Sequence, residues 1–234
     1  MKHYIILSLL FIVVHCSLKA QHQIGDGVYL AQDGPNKNLI LITDHYFSLI
    51  KFDNKQFEYT WGGPLQQQGD STYTLIEYNT IDSTKVGKKI ELDYKGNTDS
   101  LLLKLSGSYR LFLRQKAIPQ DLDALWRITG RQQEGKMHEI PKNDRKTIKL
   151  LVDGYFQWIA INPALKGFYG TGGGYYNYRD NRYTEKILFF SRDNNRIGQE
   201  LNFDGKLEKT TWHHKGKSSK GDDIYEIWSK ETAK

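Results

Sequence analysis

The sequence predicts an all-β protein made of two tandem antiparallel up-and-down eight-stranded barrels. Three observations carry this: apolar residues recurring at every second position, turn signals roughly every eight to twelve residues, and an internal repeat that divides the chain.

The alternation is clearest in the first half. Ile90, Leu92 and Tyr94 alternate with Lys89, Glu91, Asp93 and Lys95; Leu101, Leu103 and Leu105 share an apolar face. Tyr109, Leu111 and Leu113 do the same opposite Arg110, Phe112 and Arg114. In the second half Leu201 and Phe203 alternate with Glu200, Asn202 and Asp204. A strand with one packed and one wet face belongs to an antiparallel sheet. Turn signals fall at Asp44-His45, Gly96-Asn97, Asp153-Gly154, Arg179-Asp180-Asn181 and Asp204-Gly205, with Ser106-Gly107 between two short strands. That spacing gives about eight strands per copy. Such strands most simply close into a barrel, because closure removes unpaired edges; an open two-sheet sandwich is the structural alternative.

The repeat consists of four blocks in the same order. Leu41-Ile42-Thr43-Asp44-His45-Tyr46-Phe47 answers Leu150-Leu151-Val152-Asp153-Gly154-Tyr155-Phe156, and Trp61-Gly62-Gly63 answers Gly172-Gly173-Gly174. The run from Asp82 to Asp93 answers Asp193 to Asp204 without a gap, and Leu103-Lys104-Leu105-Ser106-Gly107 answers Trp212-His213-His214-Lys215-Gly216. Pro119 and its surroundings read as the junction. The division is therefore a leader over residues 1–20, a first β domain over 21–115, a linker over 116–124 and a second β domain over 125–234.

The leader reading rests on Lys2 and His3, the apolar run from Tyr4 to Val14, and Ser17-Leu18-Lys19-Ala20 before a polar continuation, the pattern of a signal peptide cut after Ala20. The run is too short to span a bilayer. Cys16 offers a competing lipoprotein reading in which it is acylated and anchors the chain, although His15 replaces the usual small residue. Both readings make the protein exported: periplasmic, outer-membrane-associated or secreted. Beyond residue 20 there is no other cysteine, which excludes disulfides and thiol chemistry within the folded part. Without Lys2 and Lys19, 31 basic residues face 27 acidic ones, a formal charge of +4. The two signs are interspersed, as in Lys51-Phe52-Asp53, whereas a nucleic-acid surface needs a basic patch. No nucleic-acid partner and no further membrane-length segment are expected.

Glycine weakens a strand unless it makes a bend or leaves room for a neighbour. The cluster Gly170 to Gly174 therefore reads as a kinked strand or a backbone lining a cavity; Tyr175-Tyr176-Asn177-Tyr178 continues it as a strand, unlike a phosphate loop. Aromatic residues are dense in the second half, and an eight-stranded barrel either fills with such side chains or holds one small ligand. Adjacent His213 and His214 point to opposite faces of their strand, so they cannot chelate one ion together. His214 shares parity with Trp212 and faces inward, with Glu226 on the next strand as its partner. No metal motif, serine-nucleophile motif or singled-out carboxylate pair occurs, so no catalytic residue, metal or cofactor is assigned. The candidate ligand-binding residues are Phe156, Trp158, Gly172, Tyr176, Phe189, Trp212, His214 and Glu226.

Asp153-Gly154-Tyr155-Phe156-Gln157-Trp158, Gly172-Gly173-Gly174-Tyr175-Tyr176, Tyr183-Thr184-Glu185-Lys186-Ile187 and Trp212-His213-His214-Lys215-Gly216 together resemble exported bacterial lipocalin-like proteins of unassigned function. The first half keeps Tyr46-Phe47 and Trp61-Gly62-Gly63 but has leucines in place of the Trp-His-His strand. The resemblance implies a calycin-type barrel and binding of a lipid or other small molecule, and implies no reaction. The leading expectation is a non-enzymatic binding protein for a small apolar or aromatic ligand. The alternatives are an interaction module with filled barrels that binds a protein or surface glycan, and a hydrolase acting on glycans or lipids.

Overall fold

The computed structural model describes residues 24–231; the leader read over residues 1–20, with Cys16, lies outside the described residues. The first unit contains β1 (Gly27–Asp33), β2 (Asn36–Thr43), β3 (Tyr46–Phe52), β4 (Phe57–Gln68), β5 (Ser71–Leu75), β6 (Tyr78–Asn79), β7 (Lys89–Glu91), β8 (Tyr94–Gly96), β9 (Ser100–Leu105) and β10 (Ser108–Arg114). The second contains β11 (Ala124–Gln133), β12 (Lys136–Glu139), β13 (Lys146–Val152), β14 (Tyr155–Asn162), β15 (Gly167–Arg179), β16 (Arg182–Phe190), β17 (Glu200–Glu208), β18 (Thr211–Lys217) and β19 (Asp223–Lys230). No helix among the described residues is long and apolar enough to cross a membrane, which says nothing of crossing by strands.

The second unit closes. Its sheet runs β11-β13-β14-β15-β16-β17-β18-β19 and returns to β11, eight antiparallel strands with β12 as a hairpin extension of β11. The first sheet runs β7-β5-β4-β3-β2-β1-β10-β9-β8 and is curled, and its two end strands are not paired with each other. The expectation of two equal closed barrels is thus corrected to one closed barrel and one curled half-barrel sheet. The difference arises at Leu92 and Asp93. Their counterparts lie inside the unbroken β17, whereas here Leu92 N–H donates to Thr72 O on one side and Asp93 O accepts from Lys104 N–H on the other. No ladder spans the step, so β7 and β8 count as separate short strands.

Hairpin turns fall where short polar pairs tolerate positive φ. Asp44-His45 (48° and 59°), Asp153-Gly154 (49° and 80°) and Asp180-Asn181 (51° and 59°) each take a left-handed pair, whose twist matches the flanking strands. Asp204-Gly205 is different. It lies inside β17, and the chain reverses later, with Lys209 at φ 52°. On β10 the faces are also opposite to the apolar grouping: Phe112 is fully buried, while Leu111 and Leu113 are more than half exposed. Phe112, the largest wholly apolar side chain of the strand, removes the most apolar surface from water when it faces inward.

Register sharpens the repeat. Leu103 pairs with Tyr94 as His214 pairs with Gly205, so Leu101 and Leu103 are the counterparts of Trp212 and His214. The block read from the sequence is two residues out of register at that strand. Elsewhere the alignment holds: Asp82 and Asp193 both cap short 3-10 turns, Ser83–Lys85 and Asn194–Arg196, through their carboxylates.

Three apolar cores result. One fills the first unit, with Tyr29, Ile40, Ile42, Phe47, Leu49, Leu101, Leu103 and Phe112. A second lies inside the barrel, around Trp126, Leu151, Phe156, Tyr183, Phe203, Trp212 and Trp228. The third lies between the units, where Val28, Leu39, Leu41 and Ile50 pack with Leu125, Ile148, Leu150 and Ile159. Strands β2 and β13 are therefore covered on both faces, which is why Leu39-Ile40-Leu41-Ile42 and Leu150-Leu151-Val152 do not alternate.

At the centre of this junction, equivalent residues meet. Ser48 and Gln157 occupy the same repeat position and share a buried hydrogen bond, Oγ to Oε1 at 2.5 Å. Gln157 Nε2 donates to Thr60 and Thr171, themselves counterparts, at 3.2 and 3.0 Å. Thr60 and Thr171 in turn donate to Leu49 O and Trp158 O, so the network is satisfied around a local twofold relationship. Within the segment read as a linker, residues 118–123 pack against the second unit. Leu122 is fully buried and its carbonyl accepts the Trp126 indole N–H at 2.8 Å, and Tyr176 OH donates to Asp123. Residues 118–123 thereby close one end of the barrel.

Candidate ligand-binding site

The other end is open. A cavity of about 510 Å³ enters the barrel between β14, β15 and β16 on one side and β11, β18 and β19 on the other. That volume lies within the usual range for small-molecule pockets. Its existence follows from two glycines. In the first unit the inward positions of β4 carry Tyr59 and Trp61, both packed on the core, and Trp61 stacks on Phe47 with centroids 5.1 Å apart. The counterparts on β15 are Gly170 and Gly172, whose neighbours on β14 are Ala160 and Trp158. A methyl group on Gly172 would meet the Trp158 indole nitrogen at 2.7 Å and the Phe190 ring at 2.8 Å. The bare backbone lets these two rings meet edge to face, 5.5 Å apart, as an aromatic wall.

Beside that wall, on the neighbouring strand β13 and further along β16, the interior is charged. Lys149 is buried among the apolar residues of β13, and its Nζ lies 2.9 Å from Glu185 Oε1. The Trp228, Tyr183, Trp212 and Phe156 rings surround the ammonium at 5.1 to 5.7 Å. The Tyr183 hydroxyl donates to the same carboxylate oxygen at 2.8 Å; burial first, and then Glu185, push that phenol well above its ordinary range.

A second pair lies beside the first. Arg131 Nη2 reaches Glu226 Oε1 at 2.6 Å, and the Trp228 indole donates to Oε2 at 3.1 Å. His214 stands directly across the ladder from Glu226, with Nδ1 3.5 Å from Oε2, too far for a good hydrogen bond. Neither His214 ring nitrogen nor the Trp212 indole nitrogen has a hydrogen-bond partner among the described residues. Burial, reinforced by Lys149, lowers the His214 pKa against the opposing pull of Glu226 and Glu185, so the imidazole is neutral at pH 7. Burial alone would raise the Glu226 carboxyl; contact with His214 and the charges of Arg131 and Lys149 outweigh it and bring it to about 2.

Of the residues chosen from sequence, Phe156, Trp158, His214 and Glu226 line the cavity. Gly172 lies behind Trp158 and Phe190 and makes room for them. Tyr176 and Trp212 belong to the packed interior core and do not line the cavity. Phe189 points the other way, into the core between the units, 5.0 Å from Phe52; its neighbour Phe190 faces the cavity because a register shift between Gly173 and Gly174 resets the parity of β16. His213 faces outward and contacts the Tyr225 hydroxyl at 2.9 Å.

Sequence reasoning missed Lys149, Glu185 and Arg131, and the rim residues Arg145, Tyr169 and Arg192. One signal was there to find: Lys149 and Glu185 share parity with the core residues Leu151, Tyr183 and Ile187 of their own strands. Among the described residues, no group of three or more His, Cys, Asp and Glu side chains is arranged to hold a metal ion. No protein-family model and no curated protein matches this chain, so its site is read from its own geometry and chemistry.

Proposed function

We propose that this is an exported, non-enzymatic binding protein whose second unit takes up a small molecule with a flat or apolar body and a few polar groups. The open cavity in the second unit carries the reading: it sets aromatic rings beside charged, hydrogen-bonding side chains, and it is matched in the first unit by a filled core. Buried charges add little to stability compared with well-packed apolar residues, so a network of this kind is better accounted for by a ligand than by folding. In this reading the first unit is a lipocalin-like barrel of the same plan, its closing strand interrupted at Leu92 and Asp93, that serves as a packed base. The pattern over residues 1–20 supports export.

Titration with the uncharged fluorophore N-phenyl-1-naphthylamine tests the reading. The wild-type protein should bind one probe per chain. A variant with Trp158→Leu, Gly172→Trp and Phe190→Asn, which installs the first-unit residues Leu49, Trp61 and Asn79, should fold and bind none. Equal binding by both proteins would place the probe elsewhere and sink the proposal.

A further inference from the structure

Resting on that reading, we infer that the ligand is an organic anion whose charged group is held at the cavity mouth by the guanidinium groups of Arg145 and Arg192. Charge accounting within the cavity supports this. Two cavity cations are matched, the buried Lys149 by Glu185 and the half-exposed Arg131 by Glu226, so these pairs are neutral as a set. On the far rim Lys220 stands with Asp222 and Asp223, and Asp223 is bound to Lys217 at 2.8 Å. Arg145 and Arg192 are the rim cations of the β13–β16 side, and neither has a carboxylate within ion-pair distance among the described residues.

Both are held in place. The Arg145 guanidinium lies 3.6 Å from the centre of the Tyr169 ring, a stacked arrangement that fixes its plane and leaves its N–H edge free to donate. The Arg192 side chain lies against the backbone at Gly170, where an added Cβ would meet its Nε at 2.8 Å. The repeat then acts as an internal control. The counterparts of Arg145, Tyr169, Gly170 and Arg192 are Asn36, Glu58, Tyr59 and Ile81. The filled unit has neither cation, and it carries a carboxylate where the hollow one has the stacking ring. Two planar guanidinium groups suit a carboxylate, sulfonate or phosphate. At the mouth such a group stays partly hydrated while its body is buried, which limits the desolvation cost.

Two probes of similar shape separate this inference from the reading beneath it: N-phenyl-1-naphthylamine and its anionic analogue 8-anilino-1-naphthalenesulfonate. The wild type should bind the sulfonate about tenfold more tightly, an advantage that shrinks with added salt. Arg145→Gln with Arg192→Gln should remove that advantage, about a tenfold loss, and leave the neutral probe within about twofold. Thermal melts should show the same stability, because both side chains are exposed. Unchanged sulfonate affinity in the double variant, with the neutral probe still bound, would overturn the inference and leave the binding reading standing. Failure of the wild type to bind either probe would overturn both.

Discussion

Position for position, the interiors of the two units differ more than their strand plans do. Ile40, Thr74 and Leu103 in the first unit become Lys149, Glu185 and His214 in the second, while Tyr59 and Trp61 become Gly170 and Gly172. One unit shows that these strands pack well with uncharged residues alone. The charged network of the other is therefore an addition to a fold that does not need it, and it coincides with the only substitutions that remove bulk from the inner wall of β15. The facing surfaces of β2, β3, β13 and β14 are mostly apolar in both copies, around the Ser48–Gln157 hydrogen bond, because each covers the other.

The largest effect should come from breaking that difference one residue at a time. Lys149→Ile leaves Glu185 buried without its cation and should cost about 3–5 kcal/mol. Adding Glu185→Thr, the first-unit residue, should recover most of the loss or exceed wild-type stability, as urea melts of the two variants would reveal. If the double variant is as unstable as the single one, the pair is needed for folding and the argument from the first unit fails.

Trp212→Ala should cost about 3–5 kcal/mol, since the ring is fully buried. Trp158→Ala should cost less and act mainly on ligand affinity, because that indole faces the cavity. Calorimetry with a probe titration on each variant distinguishes the two tryptophans.

Acid should act on the second unit's interior through two groups with the same sign. His214 has a folded pKa below its ordinary 6.5, so the unfolded chain takes up the proton first, and stability is lost as pH falls below about 6.5. Glu226 is held at about 2 against 4.5, so its contribution, on the order of 3 kcal/mol, is present above 4.5 and lost as pH falls towards 2. His214→Leu, which restores the first-unit residue, should flatten the melting temperature between pH 7 and 5. A wild-type melting temperature that does not change from pH 8 to 4 would contradict the burial of His214 and the contacts that lower Glu226. The smallest effect belongs to Leu111→Ser on the exposed face of β10, within about 0.5 kcal/mol by the same melts.

The inward direction of His214 and its place across the ladder from Glu226 were legible in strand parity; the glycine strand was read as a kink or a cavity lining, whereas Gly172 makes room for the Trp158 and Phe190 rings. Phe189 was misjudged because a bulge resets parity, and a bulge leaves no pattern in a run as apolar as Ile187-Leu188-Phe189-Phe190. Lys149 escaped notice because a lone lysine in a strand ordinarily marks a wet face. Only the ladder places it opposite Trp158, beneath a ring of aromatics.

By itself, the sequence determined the strand period, most of the hairpin turns, the repeat and the concentration of aromatics in the second half, because these follow from local conformational preferences and from spacing along the chain. The tertiary structure alone decided which unit closes, that the units share a core about Ser48 and Gln157, and that two glycines open a cavity walled by Lys149, Glu185, His214 and Glu226. Those outcomes depend on which side chains meet across strands far apart in sequence, where packing volume and the need to pair buried charge set the arrangement.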